Sequence, residues 1–357
     1  MAKKLKSLIV LSVGLGLAYW FARGIDWATV GVYWKNANVW LLLLGALLIN
    51  LTMVVRAVRW LTFLQPITTA SLRESLAATV IGFGCIFAVG RAGDVVRPLM
   101  LSLREKISPS ATIATILIER IYDMTAVAVM FAVNLLILEL PASKADDLQK
   151  MRSVGWLMLL GLALGIGLLV LLRLRSQSVL QLFEKLFRWL PKRVLDAFVS
   201  LLTHLADGLS VLLNLREMMK TVFQTALVWG LIALAYWTVI RAFGNDFSFT
   251  QSIFVLGAGL VGSLIPTPGG SAGAFHAAAQ KGLVFLDVEQ NLAAATAIAI
   301  HIVSFGSPFI FALFYLMRTD ISVSQLRALI SNAESSEQLP HHKAESLVGK
   351  PTTGVES

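Results

Sequence analysis

The sequence predicts an all-α polytopic membrane protein: about six spanning helices plus two re-entrant helical hairpins in an inverted-topology repeat. Three observations carry this. The first is composition. Of 357 residues, 57 % are apolar and only 14 % charged, with a mean hydropathy of +0.75. Soluble domains carry about 45–50 % apolar and about 25 % charged residues. The balance excludes a soluble globular domain, a disordered chain and a disulfide scaffold. Cys85 is the one cysteine, so neither an intrachain disulfide nor a cysteine metal site is expected.

The second observation is six apolar runs of membrane length, at about 5–22, 39–55, 109–138, 154–172, 221–240 and 293–317. The first follows Met1-Ala2-Lys3-Lys4-Leu5-Lys6 and ends in Tyr19-Trp20-Phe21-Ala22, a poor cleavage pattern, so it reads as an uncleaved span. The third observation is two apolar stretches, 74–103 and 251–286, that are interrupted midway. Gly90-Arg91-Ala92-Gly93-Asp94 breaks the first. Pro266-Thr267-Pro268-Gly269-Gly270-Ser271-Ala272-Gly273 breaks the second. Proline lacks the amide donor and glycine is a poor helix former, so both helices stop there. Broken backbone at membrane depth is tolerated only where protein or a water-filled cavity covers it, which predicts two hairpins.

The basic residues orient the chain. Twenty of the 30 Lys and Arg fall in predicted inner segments, Arg56 and Arg59 among them, and seven in outer ones. Arg91, Arg97 and Arg120 belong to neither. This bias predicts a cytoplasmic membrane protein with both termini inside. The net charge of +9 then reads as a basic face over an anionic leaflet, with no nucleic-acid partner. Residues 176–215 predict amphipathic helices, lying either on the cytoplasmic surface or against the underside of the bundle. Residues 1–320 form the membrane domain, with halves at 5–140 and 154–318. The polar tail 330–357 is predicted disordered.

An offset of 180 residues aligns Leu76 with Leu256, Ala78 with Ala258, Gly82 with Gly262, Gly90 with Gly270, Ala92 with Ala272 and Gly93 with Gly273. Each half reads span, span, hairpin, span, in opposite orientation. Such repeats place a substrate site near the midplane, where broken helices meet.

Charges inside membrane segments are costly and usually functional. Arg91, Asp94 and Arg97 sit at i, i+3 and i+6 beside the first break and leave one net positive charge. With backbone amides and a helix N-terminus nearby, this favours a phosphate-type anion. An Asp94–Arg pair that only locks the hairpin is the alternative. Glu119 and Asp123 are acids one turn apart, unfavourable unless a cation such as Arg97 or Arg120 sits between them. Their depth is open, either at the inner interface or near mid-membrane. Pro266, Pro268, Gly269, Gly270 and Gly273 shape the second tip, as Gly90 and Gly93 shape the first. His276 and His301 lie in membrane segments, either as packing residues or as proton-coupling groups. No metal or cofactor motif is present, and an enzyme is not expected.

The runs from Gly90 to Pro98 (GRAGDVVRP), Ser108 to Asp123 (SPSATIATILIERIYD) and Ile265 to Phe275 (IPTPGGSAGAF) resemble the membrane region of lysylphosphatidylglycerol synthases, a family of flippase-like proteins. The family often has an acid about six positions after the Pro-Gly-Gly turn. Here His276 and alanines follow Phe275. The resemblance implies transport of a lipid headgroup carrying phosphate, on a phospholipid or a polyprenyl phosphate, with anionic-headgroup lipids as partners. It does not imply synthase activity, since no soluble catalytic domain follows the membrane region. Alternatives are a small-solute secondary transporter, or a non-transporting partner of a glycosyltransferase or lipid synthase. A homo-oligomer and a glycosyltransferase or synthase partner are the associations left open.

Overall fold

The computed structural model describes residue 12, 16–65, 68–89, 93–140, 144–174, 215–265 and 267–318. The first span is therefore described only in its last part. Gly90, Arg91, Pro266, most of the amphipathic segment 176–215 and the tail 330–357 lie outside the described residues. So does any judgement of their predicted roles.

Every described element is helical. A helix over 16–22 (α1) is followed by α2 (Trp27–Asn36), α3 (Val39–Leu64), α4 (Leu72–Val89), α5 (Gly93–Glu105), α6 (Pro109–Ile137) and α7 (Ala145–Leu174). Then come α8 (Leu215–Ala242), α9 (Phe249–Gly262), α10 (Ala274–Phe285), α11 (Gln290–His301) and α12 (Ser307–Arg318). Polar side chains start them. Asp26, Asn38, Ser108 and Ser248 accept hydrogen bonds from first-turn amides of α2, α3, α6 and α9, satisfying donors that have no partner within the helix.

Three stretches are long and apolar enough to cross a membrane: Val39–Leu64, Arg216–Ala242 and Gln290–Arg318. Among the large apolar residues left exposed on α3, Leu43, Leu47, Leu51, Val54 and Val58 follow helical spacing along one face. The opposite face buries Ile49, Met53, Ala57 and Trp60. An outward apolar stripe of this kind suits hydrocarbon, not water.

The helices order along one axis. The start of α3 meets the end of α8 through Asn38 N–H and the Ala242 carbonyl (2.8 Å). Further along, Arg59 reaches Thr225 (2.8 Å), so α3 and α8 run antiparallel. They approach closely because Gly45 carries no side chain: a Cβ there would lie 2.9 Å from Val239. Two ends of the bundle follow, the Val39 end and the Leu64 end. Helices α4 and α5 form a hairpin based at the Leu64 end, where Arg104 pairs with Glu74 (2.8 Å) and Ser71 N–H donates to Glu105 (2.9 Å). Helices α9 and α10 form a second hairpin based at the Val39 end, since α9 follows the end of α8. The structure thus pairs α4 with α5 and α9 with α10, the two pairs based at opposite ends of the bundle.

The two hairpins share a device that the 180-residue offset anticipates. A Cβ on Gly82 would lie 2.7 Å from the Cβ of Arg97, and one on Gly262 would lie 2.8 Å from the Cβ of Ala278. In each hairpin, an offset-related glycine lets the return arm touch the outgoing one. The first half places Arg97 at that crossing and the second half places alanine.

The second tip, Pro268–Ser271, packs on α4. Its backbone needs left-handed geometry at Gly270 (φ +64°), where a Cβ would also come 2.9 Å from Phe305. One apolar core gathers α8 to α11 with the start of α3. A second gathers Trp60, Phe63 and Leu64 with α4, α5 and α6. Met53, Val80 and Ala312 bridge between them.

The contact of α9 with α6 offers a stability test. Gly257 sits against the tip of the Phe131 ring, and a Cβ there would lie 1.2 Å from Cζ. Gly257→Ala is expected to lower stability by about 1–3 kcal/mol through overpacking, read as a fall in unfolding temperature in detergent. Adding Phe131→Leu to that variant is expected to restore part of the loss.

Candidate functional site: a buried arginine–carboxylate cluster

Four helices converge on five charged side chains near the Leu64 end. Arg56 and Arg59 come from α3, Arg97 from α5, Glu119 and Asp123 from α6. Helix α8 adds Thr225 and Trp229. The spacings explain the convergence. Arg56 and Arg59 are three residues apart and Glu119 and Asp123 are four apart, so each pair projects from one helix face.

Arg59 sits between the two acids. It donates to Asp123 Oδ1 (2.8 Å) and Oδ2 (3.2 Å), and its Nη2 lies 3.1 Å from Glu119 Oε1. Arg56 Nη1 lies 3.1 Å from Asp123 Oδ2 and 3.7 Å from Glu119 Oε1. Arg97 Nη1 donates to Glu119 Oε1 (2.8 Å). Trp229 Nε1 donates to Asp123 Oδ1 (3.2 Å), and Thr225 Oγ1 accepts from Arg59. All five charged residues are buried, Arg59 and Glu119 completely.

Three guanidiniums face two carboxylates, so the cluster carries one formal positive charge in excess. Removing such ions from water costs several kcal/mol each unless pairing and hydrogen bonds offset it. The offset is uneven. Arg59 has partners on both acids and on Thr225. Arg97 has one carboxylate oxygen and the face of Trp60, whose ring centroid lies 4.3 Å from its Cζ. Arg97 Nε and Nη2 are buried without a hydrogen-bond partner among the described residues, as is Glu119 Oε2. Arg56 Nε and Arg59 Nε are also unpartnered among the described residues, one donor each, so Arg97 with two holds the most spare donors in the cluster.

The structure rearranges the pairing that the sequence predicts. Asp94 does not neutralise Arg97. It bonds to Arg120 on α6 (2.9 Å), and that pair is half exposed. The cation between Glu119 and Asp123 is neither Arg97 nor Arg120 but Arg59, with Arg56 beside it. The reason is direction. Asp94 and Arg97 lie on the short arm α5 and both face α6, so each finds a partner across the interface, not along its own helix.

Arg56 and Arg59 are the residues that sequence reasoning missed. The apolar run ends at 55, which placed both in the inner loop. The helix continues to Leu64 and buries both. Their signal was present as two arginines at i, i+3 directly before the apolar segment Trp60–Leu64. The cluster also locates Glu119 and Asp123. They lie beside Arg59, which is five residues from the end of α3, or about 8 Å at 1.5 Å per residue.

Gly93 opens α5, next to the first break. At the other break, His276 and His301 come together, their ring centroids 4.5 Å apart. The Gly270 carbonyl lies 3.2 Å from His301 Nε2. A carbonyl only accepts, so that nitrogen donates. His276 Nδ1 accepts from Gly273 N–H (3.4 Å). Phe87, Phe275 and Phe305 pack around His301, and a π-helical turn, Ile302–Gly306, follows it. Pro268, Gly269, Gly270 and Gly273 are thus held as a tip by two histidines. Among the described residues, neither histidine has a carboxylate partner.

An all-helical membrane protein with paired hairpins and a buried, positively charged cluster is the class these features define. The family model for the lysylphosphatidylglycerol synthase TM region matches residues 7–312, and the chain belongs to that family. No protein with a curated description matches the chain.

The pairing has a stability consequence. Glu119→Gln leaves three buried guanidiniums facing one carboxylate, and removing one partner of a buried pair costs about 3–5 kcal/mol. Asp94→Asn breaks a half-exposed pair and should cost no more than about 1 kcal/mol. Thermal unfolding in detergent is expected to separate the two variants clearly. Equal losses would show that the cluster does not hold the helices.

Proposed function

We propose that this protein is a transporter that carries a phosphate-bearing lipid headgroup across the cytoplasmic membrane while the tails remain in the bilayer. Membership of a lipid-handling membrane family supports the substrate class. The observation that carries the mechanism is Arg97. It is a buried cation with unused donors, at the crossing of a broken hairpin, in a cluster one positive charge in excess. A phosphate oxygen offered to Arg97 Nε and Nη2 would satisfy both donors in a bidentate fork and neutralise the excess.

The cluster as it stands excludes a headgroup, because Arg97 is covered. It therefore represents a closed arrangement. The half-exposed Asp94–Arg120 pair lies next to it, at the outer side of the same α5–α6 interface. Separation of α5 from α6 would release Arg97 from Glu119 and Arg120 from Asp94 together. That would open two cations to an approaching phosphate, with both acids ready to recapture them afterwards. Moving a charged headgroup through hydrocarbon is slow because desolvation is expensive, and a fixed cation along the path lowers that cost. The hairpins that enter from opposite ends supply the two-sided geometry of an inverted repeat, in which related conformations open to either face. We assign the Leu64 end to the cytoplasm on the distribution of Lys and Arg, with both termini on that side. The role is binding and translocation, without a covalent step.

The test uses proteoliposomes containing fluorescent phosphatidylglycerol or a labelled polyprenyl phosphate. The protein is expected to accelerate exchange of one lipid class between leaflets. Arg97→Ala is expected to remove most of that acceleration, and Arg97→Lys to retain part of it. If neither lipid class moves faster than in protein-free vesicles, or if Arg97→Ala moves lipid at the normal rate, the proposal fails.

A further inference from the structure

The Val39 end holds a cavity of about 320 Å³, far from the arginine cluster. Trp20, Arg23, Gly24, Gln280, Lys281 and Gln290 line it. Its walls are tied together. Gln290 Nε2 donates to the Gly24 carbonyl (3.0 Å), fixing the turn after α1 to the start of α11. Gln280 Nε2 donates to the Gln290 carbonyl (3.2 Å), fixing α10 to the same point. Phe21 is buried in the core cluster beneath. The concavity is therefore formed before any ligand arrives, as small-molecule sites usually are.

Its charge is one-sided. Arg23 and Lys281 both line the cavity, and no carboxylate does. Lys281 Nζ lies 4.8 Å from the Trp20 ring, a contact that does not neutralise its charge. The nearest acids in sequence are already engaged. The Asp26 side chain accepts from Ala28 N–H and Thr29 N–H, Asp287 pairs with Lys144, and Glu289 accepts from Asn291 N–H and Leu292 N–H. Two like charges on one concave wall repel each other unless an anion lies between them. The volume is at the lower end of the range of about 300–1,000 Å³ for ligand sites. It fits a headgroup, not an acyl chain. Trp20 and Val284, both exposed at its rim, suit the interfacial depth at which tryptophan is enriched and where tails would pass.

We infer that this cavity binds a phosphate ester, held between Arg23 and Lys281, and forms a second anion site at the opposite end from Arg97. Arg56 and Arg59 follow Val39 by 17 and 20 residues, which places the two sites roughly 26–30 Å apart along α3 at 1.5 Å per residue. That is close to the thickness of the hydrocarbon core, about 30 Å. A headgroup leaving one site would meet the other at the far interface. Naming the ester a lipid headgroup rests on the transport reading above. The anion site itself does not.

The experiment is calorimetric titration of the full chain, held in phosphatidylcholine nanodiscs, with three probes: short-chain phosphatidylglycerol, glycerol 3-phosphate and inorganic phosphate. At least one is expected to bind, and Arg23→Gln with Lys281→Gln is expected to weaken it tenfold or more. The charge-keeping pair Arg23→Lys with Lys281→Arg should retain binding, which excludes a folding defect. Tighter binding of the lipid than of glycerol 3-phosphate assigns the site to headgroups. Equal binding of both assigns it to soluble phosphate esters. Either result supports the anion site. No binding of any probe, or unchanged binding in the charge-removed pair, overturns it. The anion site is read by binding in this titration and the transport reading by lipid exchange between leaflets, so failure of one is separable from failure of the other.

Discussion

Arg59 is the constraint on which the architecture turns. It is fully buried, and its guanidinium reaches two carboxylates on α6 and a hydroxyl on α8. A guanidinium cannot shed its charge in a protein, so it imposes its pairing on whatever surrounds it. The long antiparallel pair of α3 and α8 must carry α6 with it, and α6 in turn holds α5 through Glu119 and Asp94. The first hairpin is therefore held by charge against a wall of spans. The second hairpin has no comparable charge. It is held by the small residues of α9 and α10, by the Gly270–His301 bond and by the aromatic rings about the tip.

This asymmetry inside a repeat matters more than the repeat itself. Offset-related glycines, Gly82 and Gly262, allow the same close crossing of arms in both halves. What passes the glycine differs. Arg97 in the first half brings a cation and its desolvation cost to the crossing; in the second half alanine packs there without cost. Two hairpins with similar close crossings thus differ in chemistry, the buried charge lying on the first. Apolar contact of Met53 and Val80 with Ala312 and hydrogen bonds such as Asn50 Nδ2 to Ser307 Oγ (2.9 Å) join the halves beside the charged cluster.

The interruptions of two apolar stretches and the buried charges Arg97, Glu119 and Asp123 stand out in residue order because each leaves a local signature. Proline and glycine interrupt an apolar run, and a charge stands out against it. The pairing was not legible. Asp94 and Arg97 at i, i+3 look like partners along one helix, yet both turn toward α6. Arg56 and Arg59 look like loop residues because an apolar run is delimited by its charges, while a helix continues as long as its backbone bonds do. His276 and His301 are 25 residues apart and give no sign of meeting. They meet because α11 passes the tip that α10 leaves.

By itself the sequence determined the membrane environment, the helical class and the positions of the two breaks. Hydropathy, proline and glycine act locally, and their effect does not depend on what packs nearby. Only the tertiary structure decided which cation neutralises which acid, which guanidinium keeps spare donors, and that Arg23 and Lys281 share one wall. Those are properties of helix faces brought together from distant parts of the chain, where burial turns a charge from a solvated surface feature into a demand for a partner.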